Sequence, residues 1–242
     1  MKILLLGQKG MLGHMVHKFL ISKGVEVQTI DNRWPSNGFK QSVIEFDGDF
    51  IVNCIGAIHQ KTQVFDVNWE LPIFLDLYSK ARIIHPGTDC EIDEDNYGRS
   101  KRIAREFIVA SSKNTKSLKT SIIGPELNGS VSLMDWFLSN KDGEKATGYT
   151  SCYWNGNTTL TWAEFALEMI CDWDRFGKET IISSDCISKK EILECLNSVF
   201  GRKIEVIPDD KIKIQKCLSG HIVTPHIQDQ LQKLKKFYYD KN

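Results

Sequence analysis

The 242-residue sequence has no net charge and no long apolar run. Its 31 Lys and Arg residues are balanced by 31 Asp and Glu residues, without a run of like charge. Proteins dedicated to nucleic-acid or membrane-surface binding usually carry a basic excess, so this balance argues against both classes of partner. No stretch approaches the ~18 apolar residues that a membrane span needs. The N-terminal apolar run, Ile3–Leu6, is also far shorter than the ~7–15-residue apolar region of a signal peptide.

The seven cysteines lack the patterns of a disulfide framework or a zinc site. Their number is odd, they are dispersed, and none forms a C-x-x-C pair. We therefore expect neither kind of structure. His14 and His17 are three residues apart, but a metal site needs further ligands, so no metal is expected. These absences, with that of a signal peptide, predict a cytoplasmic protein.

The first half of the sequence alternates short apolar runs with amphipathic segments. This pattern is typical of a parallel sheet covered by crossover helices. The run Ile3–Leu6 has the character of a strand buried on both faces. We therefore predict an α/β fold with a doubly wound parallel sheet, the Rossmann arrangement. The predicted strands are 3–6, 25–30, 50–55, 82–85 and 117–123, and the predicted helices are 11–22, 66–80 and 97–112.

After Gly124-Pro125 the pattern changes to shorter, mixed elements. Helices are predicted at 133–138, 162–171 and 189–200, and strands at 180–183 and 204–207. We interpret residues 1–125 as the sheet domain and residues 126–242 as a smaller α/β lobe that is free to contribute elements back to the sheet.

Three glycines separate the first predicted strand from the first predicted helix. This strand–glycine–helix context is that of the dinucleotide-binding fingerprint. The glycines allow a tight turn and a close approach to pyrophosphate, and the helix N-terminus offers free N–H groups and a positive dipole. We expect residues 1–125 to bind NAD(P) through these residues: Gly7, Lys9, Gly10, Met11, Leu12 and Gly13.

The end of the second predicted strand carries charges of both signs. Asp31 lies 18 residues after Gly13, close to the ~20 expected of the acid that bonds a ribose hydroxyl. Arg33 follows, and an arginine here can accept the 2′-phosphate of NADP instead. Asp31, Asn32 and Arg33 are therefore predicted to contact the cofactor, and NAD(H) and NADP(H) both stay open.

Tyr97 and Lys101 form the only Y-x-x-x-K in the chain. On a helix this spacing places the phenol and the ammonium on one face. A phenol has an unperturbed pKa of ~10, and a neighbouring ammonium favours its ionised form, which would bring the pKa of Tyr97 toward neutrality. Thr88 follows the strand predicted at 82–85, where its hydroxyl would lie beside the cofactor groove.

Taken in order, these motifs resemble the extended short-chain dehydrogenase/reductases, and most closely the dTDP-4-dehydrorhamnose reductase family. The resemblance covers about residues 1–170 and implies an NAD(P)H-dependent reductase of a nucleotide-linked 4-keto-6-deoxy sugar. Such a reductase would serve dTDP-rhamnose or other polysaccharide and glycan precursor synthesis. The segments that carry the resemblance are Gly7–Gly13, Val52–Ala57, Val67-Asn68, Gly87–Asp89, Tyr97–Lys101, Leu118–Gly124 and Trp154–Thr159.

The resemblance also implies roles for individual residues. Thr88 would hydrogen-bond the substrate carbonyl, Tyr97 would protonate the developing alkoxide, and Lys101 would hold the nicotinamide ribose and tune Tyr97. Related reductases often accept NADP(H), which favours that cofactor. The further contacts implied are Cys54, Ile55, Gly56 and Ile123 for the cofactor, and His59, Asp89 and Trp154 for the substrate.

Two segments are shorter than is usual in that family: the loop 89–96 and the stretch between Asp31 and Asp49. The short loop favours an alternative function, a non-catalytic nucleotide-binding or regulatory subunit, whereas the intact Thr88, Tyr97 and Lys101 favour catalysis. An epimerase or dehydratase is a weaker alternative, because no extra acid–base pair accompanies Thr88. The sugar, the nucleotide and the oligomeric state stay open, with a homodimer among the options.

Overall fold

The fold divides into two units, each built from two stretches of the chain. The structure, a computed structural model, describes residues 1–240. The first unit contains Met1–Lys119 and Ala163–Thr180, and the second contains Thr120–Trp162 and the chain from Ile181 onward. The sequence predicts a single boundary near residue 125. The predicted second lobe is also free to contribute elements back to the sheet, and residues 163–180 belong to the first unit.

Fourteen strands run through residues 1–240. They are β1 (Lys2–Leu6), β2 (Glu26–Thr29), β3 (Phe50–Asn53), β4 (Arg82–Gly87), β5 (Thr115–Lys119), β6 (Ile122–Ile123), β7 (Lys145–Tyr149), β8 (Cys152–Trp154), β9 (Asn157–Thr158), β10 (Glu179–Ser183), β11 (Ile187–Ser188), β12 (Glu205–Asp209), β13 (Ile214–Gln215) and β14 (Ile222–Val223). The single strand predicted at 117–123 is wrong. The chain forms β5 and then β6, because β6 pairs with β9 in a separate small sheet.

Eight α-helices occur in the same residues, and α1 and α7 have the predicted bounds. They are α1 (Met11–Ser22), α2 (Asn37–Ile44), α3 (Val67–Tyr78), α4 (Asn96–Ala110), α5 (Leu133–Ser139), α6 (Thr159–Cys171), α7 (Lys189–Phe200) and α8 (Ile227–Tyr238). Short 3₁₀ helices form at Asp89–Ile92 and Trp173–Arg175. Across residues 1–240, no helix combines the length and the apolar character that crossing a bilayer requires.

The main sheet brings the loops after β1, β3 and β4 to one edge. Its strand order is β14-β10-β5-β4-β3-β1-β2. β2 and β3 pair parallel to β1 from opposite sides, and β4 pairs parallel to β3. The strand order therefore reverses between β1 and β3, where doubly wound sheets bind ligands outside the carboxyl ends of the strands. The predicted doubly wound α/β fold is confirmed.

Apolar side chains bury this part of the sheet. Residues Ile3–Leu6 are at most 1% exposed, as expected of a strand covered on both faces. Leu71 of α3 and Phe39 of α2 belong to the same buried cluster as β1. Trp34 packs edge-on against Phe39, with the ring centroids 5.7 Å apart. Each such buried side chain stabilises the fold by ~1.5–3 kcal/mol. The strands whose ends carry the loops are therefore firmly packed in the core.

A disulfide joins Cys186 and Cys217 in the second unit. The spacing of the cysteines predicts no disulfide framework, and for this pair that prediction is wrong. The two cysteines are 31 residues apart in the chain. β8 pairs with β11 on one side and β13 on the other, while Cys186 directly precedes β11 and Cys217 closely follows β13. Strand pairing therefore brings the two sulfurs together.

Candidate functional site

Glycines shape the turn between β1 and α1. Gly7 has a φ of 82°, in the left-handed region that favours glycine. A Cβ on Gly7 would lie 2.8 Å from the backbone of Cys54, and a Cβ on Gly13 would lie 2.0 Å from the Gly7 carbonyl oxygen. At Gly10 the nearest atom to an added Cβ, the same oxygen, is 3.4 Å away. The turn itself therefore requires Gly7 and Gly13, whereas a Cβ on Gly10 would make only an ordinary van der Waals contact.

The N-terminus of α1 is available to an anion. Gly10 is the N-cap residue and has no side chain with which to cap the helix. The first turn also contains no acidic residue. The first N–H groups of a helix have no intrahelical partner, and the helix dipole adds positive potential at this end. Gly7, Gly10 and the N–H groups of Met11, Leu12 and Gly13 thus form a cradle that fits a pyrophosphate.

Charged side chains lie close to this turn. Lys9 Nζ is 3.6 Å from Asp31 Oδ1, and both side chains are exposed. The Asn32 amide contacts the start of α2, where a Cβ on Gly38 would be 2.6 Å from Asn32 Nδ2. Arg33 follows and is exposed. The carboxylate that suits ribose hydroxyls is therefore accompanied by two cations that suit a 2′-phosphate.

Thr88, Tyr97 and Lys101 meet at the same edge of the sheet. Thr88 directly follows β4, while Tyr97 and Lys101 lie one turn apart on α4. The Thr88 side chain lies beside the phenol of Tyr97 and acts to lower its pKa. Lys101 Nζ would be 3.5 Å from a Cβ on Gly56, which places the amine beside the loop after β3. The structure therefore assembles all three residues that the sequence predicts to be catalytic.

Burial sets the charge states of Tyr97 and Lys101. Burial, reinforced by Cys90, raises the pKa of Tyr97, and the neighbouring Thr88 side chain opposes this shift. The direction is opposite to the one predicted from the Y-x-x-x-K spacing. Burial lowers the pKa of Lys101 to about 8, against the attraction of Glu91. At pH 7 Tyr97 is therefore neutral and able to donate a proton, while most of Lys101 is charged.

His59 lies against Tyr97. Their ring centroids are 5.1 Å apart, and the ring of Phe65 is 5.1 Å from His59 and 5.7 Å from Tyr97. His59 Nε2 is 3.0 Å from Asp95 Oδ2. The other Asp95 oxygen accepts the Gly98 N–H at 2.6 Å and caps α4. Asp95, the capping residue of α4, thus holds the predicted substrate residue His59 next to Tyr97, which lies on α4.

The loop after β3 is fixed by a buried amide. Asn68 Oδ1 accepts the Ala57 N–H at 2.8 Å, and Asn68 Nδ2 donates to the Ala57 carbonyl at 3.1 Å. The same Nδ2 donates to Ser100 Oγ on α4 at 3.0 Å. Burial raises the pKa of the Cys54 thiol, so this cysteine is a packing residue and not a thiolate. The predicted cofactor segment Cys54–Gly56 is therefore tied to α3 and α4.

Three other predicted site residues have different surroundings. Asp89 is 5% exposed and accepts a hydrogen bond from Thr88 Oγ1 at 3.0 Å. Ile123 and Trp154 belong to the second unit, where they are 3% and 7% exposed. The Trp154 ring covers Gly156, on which a Cβ would come within 2.3 Å of the indole. The cofactor contact of Ile123 and the substrate contact of Trp154 stay predictions.

The sequence analysis missed a buried ion pair beside Thr88. Lys119 Nζ is 2.5 Å from Glu91 Oε2. Thr88 and Glu91 form a capping box, and their T-x-x-E spacing is a signal that could have revealed this contact. The pairing with Lys119, 28 residues away, leaves no such signal. Among residues 1–240 no group of three or more His, Cys, Asp or Glu side chains is placed to hold a metal ion.

The structure is similar to those of nucleotide-sugar enzymes. The dTDP-4-dehydrorhamnose reductase of Clostridium acetobutylicum matches 97% of this chain and 98% of its own, with a TM-score of 0.72 and 20% identity. The dTDP-4-dehydrorhamnose reductase of Bacillus anthracis, in complex with NADP, matches 96% of this chain and 98% of its own, with a TM-score of 0.76 and 15% identity. The UDP-glucose 4-epimerase of Thermus thermophilus, in complex with NAD, matches 100% of both chains, with a TM-score of 0.69 and 15% identity.

Sequence comparison adds no closer relationship. The chain matches no protein-family profile, and no curated protein sequence is significantly similar to it. The structural similarity over nearly the whole length shows that the chain shares the α/β fold of these enzymes.

Proposed function

We propose that this protein is an NAD(P)H-dependent reductase of a nucleotide-linked 4-keto-6-deoxy sugar in polysaccharide or glycan precursor synthesis. The observation that supports the proposal is the assembly of Thr88, Tyr97 and Lys101 at one sheet edge, beside the loop after β3. They supply a hydroxyl, a neutral phenol and an ammonium around one position for a carbonyl oxygen. Two structurally similar proteins are dTDP-4-dehydrorhamnose reductases, which supports this substrate class.

Ketone reduction requires a proton at the oxygen, and Tyr97 is the donor in this proposal. Its phenol is neutral at pH 7, which lies below the unperturbed pKa of ~10, and burial raises that pKa further. Thr88 hydrogen-bonds the carbonyl oxygen, while Lys101 binds the nicotinamide ribose and stabilises the phenolate left on Tyr97. Bound NAD(P)H supplies the hydride that reaches the carbonyl carbon. Proton donation of this kind typically contributes ~10²–10⁴-fold to the rate.

For the cofactor we favour NADP(H) over NAD(H). Lys9 lies beside Asp31, and a cation there weakens the repulsion between the carboxylate and a 2′-phosphate. Arg33, exposed and two residues further along, is suited to pair with that phosphate through its guanidinium. The cradle at α1 holds the pyrophosphate of either cofactor.

Replacement of one phenol hydroxyl tests the proposed reaction. Purified protein is mixed with NADPH or NADH and a panel of dTDP-, UDP- and GDP-linked 4-keto-6-deoxy sugars, and nicotinamide absorbance is followed. Tyr97→Phe keeps the ring but removes the proton donor, so turnover should fall by ~10²–10⁴-fold while cofactor binding survives. Tyr78→Phe is the matched control, because Tyr78 is 58% exposed at the end of α3.

The outcomes separate an enzyme from a binding module. A parent that binds the cofactor but turns over none of these sugars supports the regulatory-subunit alternative. If the parent reduces one of these sugars and Tyr97→Phe reduces it at the same rate, the protein is a reductase but Tyr97 is not its proton donor.

A further inference from the structure

The carboxylate of Glu91 is buried directly beneath Thr88. Glu91 is 4% exposed, and one of its oxygens lies 2.5 Å from Lys119 Nζ and 3.7 Å from Arg105 Nε. Glu179 Oε1 completes the cluster, 2.6 Å from Arg105 Nε and 4.0 Å from Lys119 Nζ. Two cations thus face two carboxylates, so the charge of Glu91 is balanced although it lies away from solvent.

The second Glu91 oxygen is bonded to the backbone of Thr88. Glu91 Oε1 accepts the Thr88 N–H at 3.1 Å, and Thr88 Oγ1 accepts the Cys90 N–H at 3.3 Å. These two bonds form a capping box around the 3₁₀ helix that follows β4. Glu91 therefore holds the backbone of Thr88, while the Thr88 hydroxyl is oriented by the Cys90 N–H and by Asp89 Oδ1, to which it donates at 3.0 Å.

Glu91 also acts on the charged groups of the site. Its negative charge raises the pKa of Lys101, against the larger effect of burial, and contributes to the raised pKa of Tyr97. The other ionisable groups that interact with Lys101 are Cys90 of the 3₁₀ helix and His85 of β4. Burial raises the pKa of Glu91 itself, and Lys119 opposes that shift.

We propose that Glu91 is a positioning residue of this site, which holds the backbone of Thr88, and with it the Thr88 side chain beside Tyr97, through one oxygen and is anchored by Lys119 through the other. The proposal rests on the proposed reductase function for its rate effects. The arrangement links β4, through the 3₁₀ helix, to the end of β5 and to α4, which carries Tyr97 and Lys101. Loss of Glu91 should therefore reduce kcat more than it weakens cofactor binding.

Variants that remove the buried pair as a unit test this proposal. Glu91→Ala/Lys119→Met removes the bond to Thr88 without leaving a buried ammonium unpaired, and kcat should fall by ~10–100-fold because small misplacements of reacting groups cost this much. KM for NAD(P)H should change less than threefold. Glu179→Gln is the matched control, because it perturbs the same ion cluster, and Glu179 has no bond to Thr88. This control should retain kcat within about twofold at a comparable loss of melting temperature.

A second variant separates the charge of Glu91 from its hydrogen bond. Glu91→Gln/Lys119→Met keeps an acceptor for the Thr88 N–H, so kcat at pH 7 should stay within about threefold of the parent. Loss of the carboxylate should shift the alkaline decline of NADPH affinity, measured by fluorescence titration, to lower pH. This binding measurement needs no substrate, so it tests the effect on Lys101 even if no sugar is reduced and the proposed function fails.

The two variants also give the results that would overturn the proposal. Full kcat in Glu91→Ala/Lys119→Met, or an equal loss in Glu179→Gln, would show that Glu91 only stabilises the fold. If Glu91→Ala/Lys119→Met does not fold, the isosteric Glu91→Gln/Lys119→Met variant provides the test instead. If NADPH affinity declines at the same pH in that variant as in the parent, the charge of Glu91 does not act on Lys101. If kcat at pH 7 falls by ~10–100-fold in that variant, the hydrogen bond to the Thr88 N–H is not what positions the site.

Discussion

Lys101 is a buried amine whose charge changes near neutral pH. Burial lowers its pKa to about 8, so the side chain is a cation below this pH and neutral above it. A hydrogen bond from a charged donor is worth ~1.5–3 kcal/mol, which corresponds to about 10–100-fold in affinity. NADPH affinity should therefore fall by up to this factor as the pH rises through about 8, as measured by fluorescence titration between pH 6 and pH 10.

The Lys101→Met variant provides the test of that assignment. It should bind NADPH weakly at every pH and lose the alkaline decline. Lys80→Met is the control, because Lys80 is exposed and precedes β4 at the opposite end of the strand. A decline that persists in Lys101→Met would have to come from another group.

Arg33 and Lys9 should set the choice of cofactor. The parent should bind NADPH more tightly than NADH in titration calorimetry. Arg33→Ala should weaken NADPH binding by about tenfold and leave NADH binding unchanged, because a charged hydrogen bond to the 2′-phosphate is lost. Lys9→Ala should act in the same direction, since it leaves Asp31 without its cation. A parent that prefers NADH would contradict the proposed cofactor but leave the proposed reaction intact.

Within a single element, substitutions in the glycine turn before α1 should affect stability and cofactor binding to different degrees. Gly10→Val brings its Cβ no closer than 3.4 Å to the Gly7 carbonyl oxygen, an ordinary van der Waals contact, so it should cost the fold only about 1 kcal/mol or less. The same side chain would occupy the pyrophosphate cradle and abolish NADPH binding. Thermal denaturation and NADPH fluorescence measure the two effects separately.

Gly13→Ala is the contrasting variant in the same turn. Its added methyl would meet the Gly7 carbonyl oxygen at 2.0 Å, and overpacking against backbone typically costs ~1–3 kcal/mol or more. Gly13→Ala should therefore lower the melting temperature clearly. If a folded Gly10→Val protein binds NADPH as tightly as the parent, the turn is not the phosphate site.

At the scale of the whole molecule, the Cys186–Cys217 bond is the one covalent crosslink in residues 1–240. It closes a loop of 31 residues, and the chain-entropy relation assigns about 3–4 kcal/mol to a crosslink of this length. Reduction should therefore lower the melting temperature of the protein. Scanning calorimetry with and without a phosphine reductant measures the change.

Cys186→Ser/Cys217→Ser should reproduce the effect of reduction and then be insensitive to the reductant. Cys171→Ser, at an exposed free cysteine, should leave the melting temperature unchanged. Seven reactive thiols in denatured but unreduced protein would show that the bond does not form. Disulfides are rare in reducing compartments, so this bond weighs against the cytoplasmic location expected from the sequence. That location stays a prediction.

Local patterns in the sequence were enough to predict the sheet type, the glycine turn and several helices. The bounds 11–22 and 189–200 were correct because each helix has its own apolar stripe and a glycine shortly after its end. The same local logic placed Tyr97 and Lys101 on one face of α4. It did not predict α2, where only Phe39 and Val43 are buried. Too few apolar residues remain there to reveal a helical period.

Contacts between distant parts of the chain decided the buried ion pair, the disulfide and the pKa of Tyr97. Glu91 and Lys119 are 28 residues apart, and Cys186 and Cys217 are 31 apart, so strand pairing and not spacing brings them together. The pKa of Tyr97 moved opposite to its predicted direction, because burial outweighs a favourable neighbour. The residue types that can do the chemistry follow from the sequence alone. Their desolvation and their partners come from the tertiary structure, because both depend on which segments pack around them.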